Sequence, residues 1–337
     1  MTIWRLGEKA GGSRFFHVWE LKINNQAVPS HLRTRVYVDG YNLYYGCLKG
    51  TYLKWLDLLT LFEAHVLPSV LVTRNDQPAT MQLEPVAIKF FTAKILPAAA
   101  KASDSVSSQA RYHTALRKTH GERIEIIEGY YALNQMKVKI VDAEFPDRPP
   151  KDCQEIHAWK LEEKQSDVNL ALHAYHDAVA GNVDQIVVVT NDTDIAPALE
   201  MIRKHTQAVI GLVVPTTDRQ RKPNADLSRL AHWTRTHITV DELAASQLPR
   251  VIPGRKPTIK PESWYPNPEK LAQILELAIP VRGNRGGAFK WLEQPNPHLG
   301  GRIPIEMLET EQGADEVLAY IRKWIAEHAD PLNGIHE

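Results

Sequence analysis

Two apolar runs in this chain end abruptly in carboxylates. Val36-Tyr37-Val38 leads into Asp39-Gly40-Tyr41-Asn42, and Val187-Val188-Val189 leads into Thr190-Asn191-Asp192-Thr193-Asp194. Runs of β-branched and aromatic residues without polar alternation predict strands covered on both faces of a parallel sheet. The carboxylates then fall at the carboxyl ends of those strands, where open α/β sheets hold their sites. Further strands are predicted over 85–95, 124–127, 136–141 and 209–214. Helical stripes separate them. Asp57 caps one that carries Leu58, Leu59, Phe62 and Val66, a Ser/Asp cluster opens another that runs to His120, and Ile195, Leu199 and Ile202 mark a third. Strands and helices alternating in this way indicate an α/β domain with a parallel sheet core. The most informative helix spans 166–180, with the stripe Leu170, Ala171, Ala174, Tyr175 and Ala178. Asp167 sits three and four residues before Leu170 and Ala171, so it falls on the inward face of the first turn, with Ser166 as the cap. A carboxylate aimed at a core needs a partner, because burying one unpaired is costly.

Beyond the α/β pattern, residues 251–266 are proline-rich and basic, which predicts a semi-rigid linker. Residues 267–337 then turn helical. Asn267 caps a helix with Pro268 in its first turn and a stripe of Leu271, Ile274, Leu275 and Ala278. A last helix shares Ala314, Val317, Leu318, Ile321, Trp324 and Ile325 on one face, with acids at its start and Arg322-Lys323 near its end. A chain of 337 residues is expected to form two domains. The layout is an N-terminal extension (1–33), an α/β domain (34–250), the linker (251–266) and a small all-α domain (267–337). The extension holds Trp4, Phe15, Phe16, Val18 and Trp19, which predicts an extended segment or hairpin packed on another part of the protein. It lacks the apolar core of a signal peptide, and no run is long enough to cross a bilayer, so the expectation is a cytoplasmic protein with no membrane partner.

Charge sharpens the functional question. Lys plus Arg and Asp plus Glu both number 40, giving a net charge of +0, so any affinity for nucleic acid must come from local patches. Cys47 and Cys153 are far apart and form no CxxC pair, which argues against a disulfide framework or a thiolate zinc site. Asp39, Asp192 and Asp194 come from strand ends and Asp167 from a helix start. Gathered within a few ångströms, each like-charge pair costs about 1–4 kcal/mol between the bulk-water and near-surface limits. A divalent cation offsets that cost, and an all-oxygen ligand set favours Mg²⁺ or Mn²⁺ over zinc. Such an ion activates water for phosphodiester hydrolysis. Asn42, Thr190 and Asn191 lie beside the carboxylates and can orient a ligand or phosphate. Arg219, Arg221 and Lys222 are candidates for an RNA backbone, and Lys89, Lys94, Lys101, Arg111, Arg117 and Lys118 for an opposite bank. Trp233 and Tyr44-Tyr45 are candidates for stacking on bases. His173 and His176 lack partners that would make them zinc ligands. A phosphatase of the HAD type needs a DxD pair on the first strand, whereas Asp39 is followed by Gly40-Tyr41.

These residues carry a resemblance. VYVDGYNLYYG (36–46), KWLDL (54–58), EEKQSDVNLA (162–171), VVVTNDTDIAPAL (187–199) and ASQLP (245–249) resemble the NYN domain, a branch of the PIN-like nuclease superfamily. The resemblance implies a Rossmann-like three-layer fold and a metal-dependent endoribonuclease, with Asp39, Asp167, Asp192 and Asp194 at the metal and Asn42 beside them. The run AFKWLEQPNPHLGGRIPIEMLETEQGADEVLAYI (288–321) resembles the toxin-binding C-terminal domain of Xre/MbcA/ParS-type antitoxins. That resemblance implies a protein partner or self-association through 267–337. The usual DNA-binding module is replaced here by the nuclease-like domain. The alternative is an RNA- or protein-binding scaffold of a toxin–antitoxin-like or defence system with little hydrolysis.

Overall fold

The computed structural model describes residues 30–75 and 77–328. The expectation for the N-terminal extension therefore lies, up to residue 29, outside the described residues.

Strand β1 (Ser30–Asp39) runs straight into α1 (Gly40–Leu43), which continues as a wider π-helical turn, Tyr44–Leu48. Asp57 caps α2 (Leu58–Thr60) by accepting from the Thr60 amide at 3.1 Å, and that helix too widens, over Leu61–Val66. Next come β2 (Val72–Arg74), β3 (Gln77–Ala93), α3 (Ser105–His120), β4 (Ile124–Lys139) and β5 (Glu155–Lys164). The second half supplies α4 (Ser166–Val179), β6 (Gln185–Val189), α5 (Ala196–His205), β7 (Val209–Val213), α6 (Ala225–Leu230), β8 (Trp233–Arg235) and α7 (Val240–Ala245).

The sheet order is β5-β4-β3-β1-β6-β7-β8, with β2 paired to β3. Neighbours are parallel from β4 through β8, while β5 and β2 join antiparallel. Successive strand residues feed opposite layers. Val36, Val38, Val187 and Val189 pack with Trp55, Phe62 and Leu116, whereas Tyr37, Ile186 and Val188 pack with Leu170, Leu199 and Ile202. From β1 the chain winds outward through β3 and β4; from β6 it winds the other way through β7 and β8. The order therefore reverses between β1 and β6, and a crevice opens at the carboxyl ends of those two strands.

Two strand expectations are corrected. Residues 124–127 and 136–141 form one long strand, β4, ending at Lys139. Its outer half pairs with β5, a strand the apolar pattern did not predict. This antiparallel overhang lies beyond the sheet core, so its sequence alternates weakly and exposes Tyr130, Trp159 and Leu161.

The stretch expected to be a linker is folded against the α/β domain. It holds the short hairpin β9 (Val251–Ile252) and β10 (Thr258–Ile259), with Ile252 and Thr258 buried. Trp264 stands 6.0 Å from Trp55 and 5.8 Å from Tyr112 between ring centroids. The next residue, Tyr265, belongs to a second core. That core is built from α8 (Pro268–Arg282), α9 (Arg285–Leu292), α10 (Pro304–Met307) and α11 (Glu311–His328). Asn267 does not cap α8 through its side chain. It adopts a left-handed backbone, φ 45°, and its Nδ2 donates to the Leu308 carbonyl at 2.8 Å. No helix among the described residues is long and apolar enough to cross a membrane.

Candidate active site

The reversal between β1 and β6 dictates what meets at the crevice. Thr190, directly after β6, is buried; its hydroxyl donates to Asp39 Oδ2 at 2.8 Å and accepts from the Asp192 amide at 3.1 Å. One side chain thus fastens together two strand ends that lie 151 positions apart. Asn42 holds Asp39 from the other side, through its amide to Oδ1 (2.9 Å) and its Nδ2 to Oδ2 (2.6 Å). Asp39 therefore caps α1 while remaining aimed at the crevice. Asp192 Oδ1 accepts from the Asp194 amide at 3.1 Å, which fixes the turn carrying both acids. Asp39, Asp167, Asp192 and Asp194 line one cavity of about 10 Å³ together with Leu170, Thr190 and Ile195. That is room for about one water molecule or ion.

Asp167 departs from its expected setting. It is solvent-exposed at the rim of the cavity rather than tucked under the helix. Crowding of its carboxyl end by protein raises its pKa to about 6, and the charges of Asp39, Asp192, Glu163 and Asp194 push in the same direction. Ser166 does not act as the cap. Gln165 takes that position with a left-handed backbone, φ 75°, and the Ser166 hydroxyl donates to Glu163 instead. Burial, reinforced by the charge of Asp192, also lifts the Asp39 carboxyl above its ordinary value, although Asn42 and Thr190 donate to it.

Glu163 is the acidic neighbour that the sequence reading missed. It is the penultimate residue of β5, and burial raises its carboxyl; Ser166 donates to it, Asp39 repels it, and Tyr131 OH lies 3.5 Å away. The available signal was its place in EEKQSD, four residues before Asp167 and on a strand the apolar pattern does not predict.

Among the described residues no three His, Cys, Asp or Glu side chains are grouped so that, as they stand, they could hold a metal ion. The chemistry of the four aspartates nonetheless fits a hard divalent cation. The cavity's donor atoms are all oxygens, no histidine lines it, and the mutual repulsion raising Asp167 is what a cation would relieve.

The other expected contacts divide. The Asn191 side-chain oxygen accepts from the Asn224 amide at 2.8 Å, tying the loop before α6 to the acidic turn, and Arg219, Arg221 and Lys222 are exposed on that loop. Of the opposite bank, only Lys89 leaves the surface, while three others are tied to neighbouring residues. Lys89 is buried 2.8 Å from Asp177; Lys94 (2.6 Å) and Arg117 (3.5 Å) pair with Glu128, and Lys118 donates to Thr258 at 2.9 Å. Lys101 and Arg111 are exposed. Trp233 is a packing residue whose indole donates to Gln185 at 3.1 Å, and His173 sits between Lys89 and Phe91.

A mixed sheet that reverses order at its second acidic strand, with carboxylates gathered at that point, defines a PIN-like α/β protein. The chain belongs to the NYN domain family, whose model matches residues 33–234. A second family model, the antitoxin Xre/MbcA/ParS C-terminal toxin-binding domain, matches residues 277–324. The chain is similar to the 6-hydroxy-3-succinoylpyridine 3-monooxygenase HspA of Pseudomonas putida (strain S16): 66% identical over 301 residues, covering 89% of this chain and 96% of the relative. A crystal structure of a protein of unknown function from Vibrio parahaemolyticus aligns at a TM-score of 0.34 and 17% identity, over 62% of this chain and 94% of that one.

Proposed function

We propose that the protein is a metal-dependent endoribonuclease. Asp39, Asp167, Asp192 and Asp194 would hold Mg²⁺ or Mn²⁺, and Asn42 would fix Asp39. The bound ion would supply a water acidified near neutrality and a positive charge beside the phosphate. The chain's own residues do the rest. Thr190 and Asn42 keep Asp39 from rotating away, the Asp194 amide holds Asp192, and Leu170 and Ile195 wall the cavity with apolar surface. Thr190 and Asn191 support the acidic turn, and Arg219, Arg221 and Lys222 are available to phosphates.

The observation that carries this reading is the convergence of four aspartates from three separate elements on one small cavity lined only by oxygen donors and apolar side chains. The test is cleavage of RNA by the full chain with Mn²⁺, beside Asp39→Asn and Asp192→Asn. Loss of cleavage in both variants is expected. Equal behaviour of variants and wild type would remove the site assignment. Residues 267–337 are proposed to engage a protein partner of the toxin class or a second copy. Pull-down with the full chain, and with Arg302→Ala on the exposed face of that domain, tests the interaction.

A second reading has its own support: a relative 66% identical to this chain is named a monooxygenase acting on a hydroxylated, succinoylated pyridine. Such a reaction places one atom of O₂ on the ring and reduces the other to water with two electrons from a reductant. Consumption of O₂ and of 6-hydroxy-3-succinoylpyridine by the same preparation, supplied with a reductant, tests it. The hydrolytic reading leads because it explains why four carboxylates share one cavity.

A further inference from the structure

Three tyrosines stand exposed in a single stretch beside the acidic cavity. Tyr41, Tyr44 and Tyr45 keep 45%, 40% and 47% of their surface in solvent, while the opposite face of the same helix buries Leu43, Cys47 and Leu48. Their rings form one cluster. Tyr41 and Tyr45 lie 4.4 Å apart between centroids at 36°, Tyr44 meets Tyr45 edge-on at 5.3 Å, and Lys49 Nζ sits 4.6 Å from the Tyr45 centroid. The core does not need these rings, and so much aromatic surface left in water marks a contact site.

The cluster is also locked to a basic loop. A Cβ added at Gly46 would lie 1.7 Å from the Pro215 carbonyl oxygen, so the π-helical turn carrying Tyr44 and Tyr45 packs backbone to backbone against the start of that loop. A few residues on, the loop exposes Arg219, Arg221 and Lys222, and Asn191 ties its far end to the acidic turn. Rings, cations and carboxylates are thus joined through the Gly46–Pro215 contact at one end of the loop and Asn191 at the other.

We propose that Tyr41, Tyr44 and Tyr45 form a base-stacking platform, faced by a phosphate clamp of Arg219, Arg221 and Lys222, that seats an unpaired nucleotide stretch beside the acidic cavity. This rests on the reading of that cavity as a nucleic-acid hydrolysing site. Aromatic faces take any base, and cations fix the backbone between them. A single small aromatic substrate would occupy one ring, whereas three rings with a flanking cationic loop extend over several nucleotides.

The test is binding by the full chain in EDTA, so that no hydrolysis intervenes, of a short oligouridylate carrying one 2-aminopurine, with a blunt duplex in parallel. The single strand is expected to bind with 2-aminopurine quenching, the signature of stacking. Tyr41→Ala/Tyr45→Ala should weaken binding by about tenfold or more and abolish the quenching, and Tyr41→Phe/Tyr45→Phe should restore both. Combined Arg219→Ala/Arg221→Ala/Lys222→Ala should flatten the salt dependence of binding while leaving the quenching of the remaining complex. Circular dichroism and melting verify that each variant folds. Wild-type affinity and quenching in the alanine variant, or no oligomer bound by the wild type, would overturn the platform. If the wild type cleaves RNA but the alanine variant binds normally, the platform fails and the hydrolase stands. If the oligomer stacks as described but is not cleaved, the reverse holds.

Discussion

Thr190→Val is the most searching perturbation of this site because it is nearly isosteric and removes one hydroxyl. That hydroxyl donates to Asp39 Oδ2 at 2.8 Å and accepts from the Asp192 amide at 3.1 Å, at a position 1% exposed. Valine leaves Asp39 with only Asn42 as donor and leaves the Asp192 amide unpaired in protein. A hydrogen bond to a charged group contributes about 1.5–3 kcal/mol. If that orientation is needed when the phosphodiester is attacked, the rate falls by roughly 10- to 150-fold, at about 1.36 kcal/mol per tenfold. The assay is initial RNA cleavage at saturating Mn²⁺ for wild type, Thr190→Val and Thr190→Ser. Serine keeps the hydroxyl and should retain most of the activity. The fold should survive in all three, since a methyl replaces a hydroxyl of the same size. A valine variant that cleaves at the wild-type rate while Asp39→Asn and Asp192→Asn are inactive would refute the reasoning, because the clasp would then be ornamental.

Three further outcomes concern the frame around the site. Asp177 is buried among Lys89 (2.8 Å), Arg35 (2.7 Å) and the Tyr37 hydroxyl (2.7 Å). Removing it in Asp177→Ala strands two buried cations, so denaturant melts should show a loss of about 3–5 kcal/mol, a large share of an ordinary domain's stability. Burial works against the charged form of Asp177, but Lys89, Tyr37 and Arg35 outweigh it and hold the carboxyl below its usual range. Its contribution is therefore complete above the ordinary carboxylate pKa of about 4 and disappears as pH falls through the lower folded value. Melts of wild type against Asp177→Asn should converge on acidification, and a gap that widens would contradict this. Gly46→Ala must move the Pro215 backbone and should cost about 1–3 kcal/mol in the same melts; a neutral effect would mean the loop is not held there. Trp264→Ala removes a ring packed on Trp55 and Tyr112 and should cost about 3–5 kcal/mol while making the 251–266 stretch a new site of limited proteolysis.

What could be read from the chain follows from how local each signal is. β1 and β6 were legible because strands covered on both faces are apolar throughout, and their carboxylates mark where cover ends. The cap at Asp57 and the stripe of α4 are encoded within a few residues. Asp167 lies on the first turn of the helix as expected but open to solvent, since periodicity gives a face and not the depth of cover at a helix end. β5 escapes the apolar pattern because all its pairing is with the overhanging half of β4, beyond the core, and Glu163 goes with it. The proline-rich stretch looked like a linker by composition. Its docking depends on Trp264 finding Trp55, a contact 209 positions apart that no local pattern carries. For the same reason Lys89 looked like a surface cation, because its partner Asp177 lies 88 positions away.

The carboxylate cluster also constrains any activity assigned by likeness. Asp39 is almost fully buried, its pKa is raised by burial and by Asp192, and Asp167 is raised to about 6 by burial with help from four other acids. An arrangement that works against its own ionisation is destabilising unless something positive is bound there. Whichever reaction the protein performs, Mn²⁺ should therefore raise its melting temperature, and the gain should shrink in Asp39→Asn and Asp192→Asn. The prediction separates the site from the chemistry. Stabilisation together with RNA cleavage supports hydrolysis at the cluster. Stabilisation together with O₂-dependent turnover of the pyridine would keep the cation site and transfer it to the other reaction. Absence of any metal effect on melting would mean that the four aspartates are held together for a reason other than a cation, and the hydrolase reading would go with it.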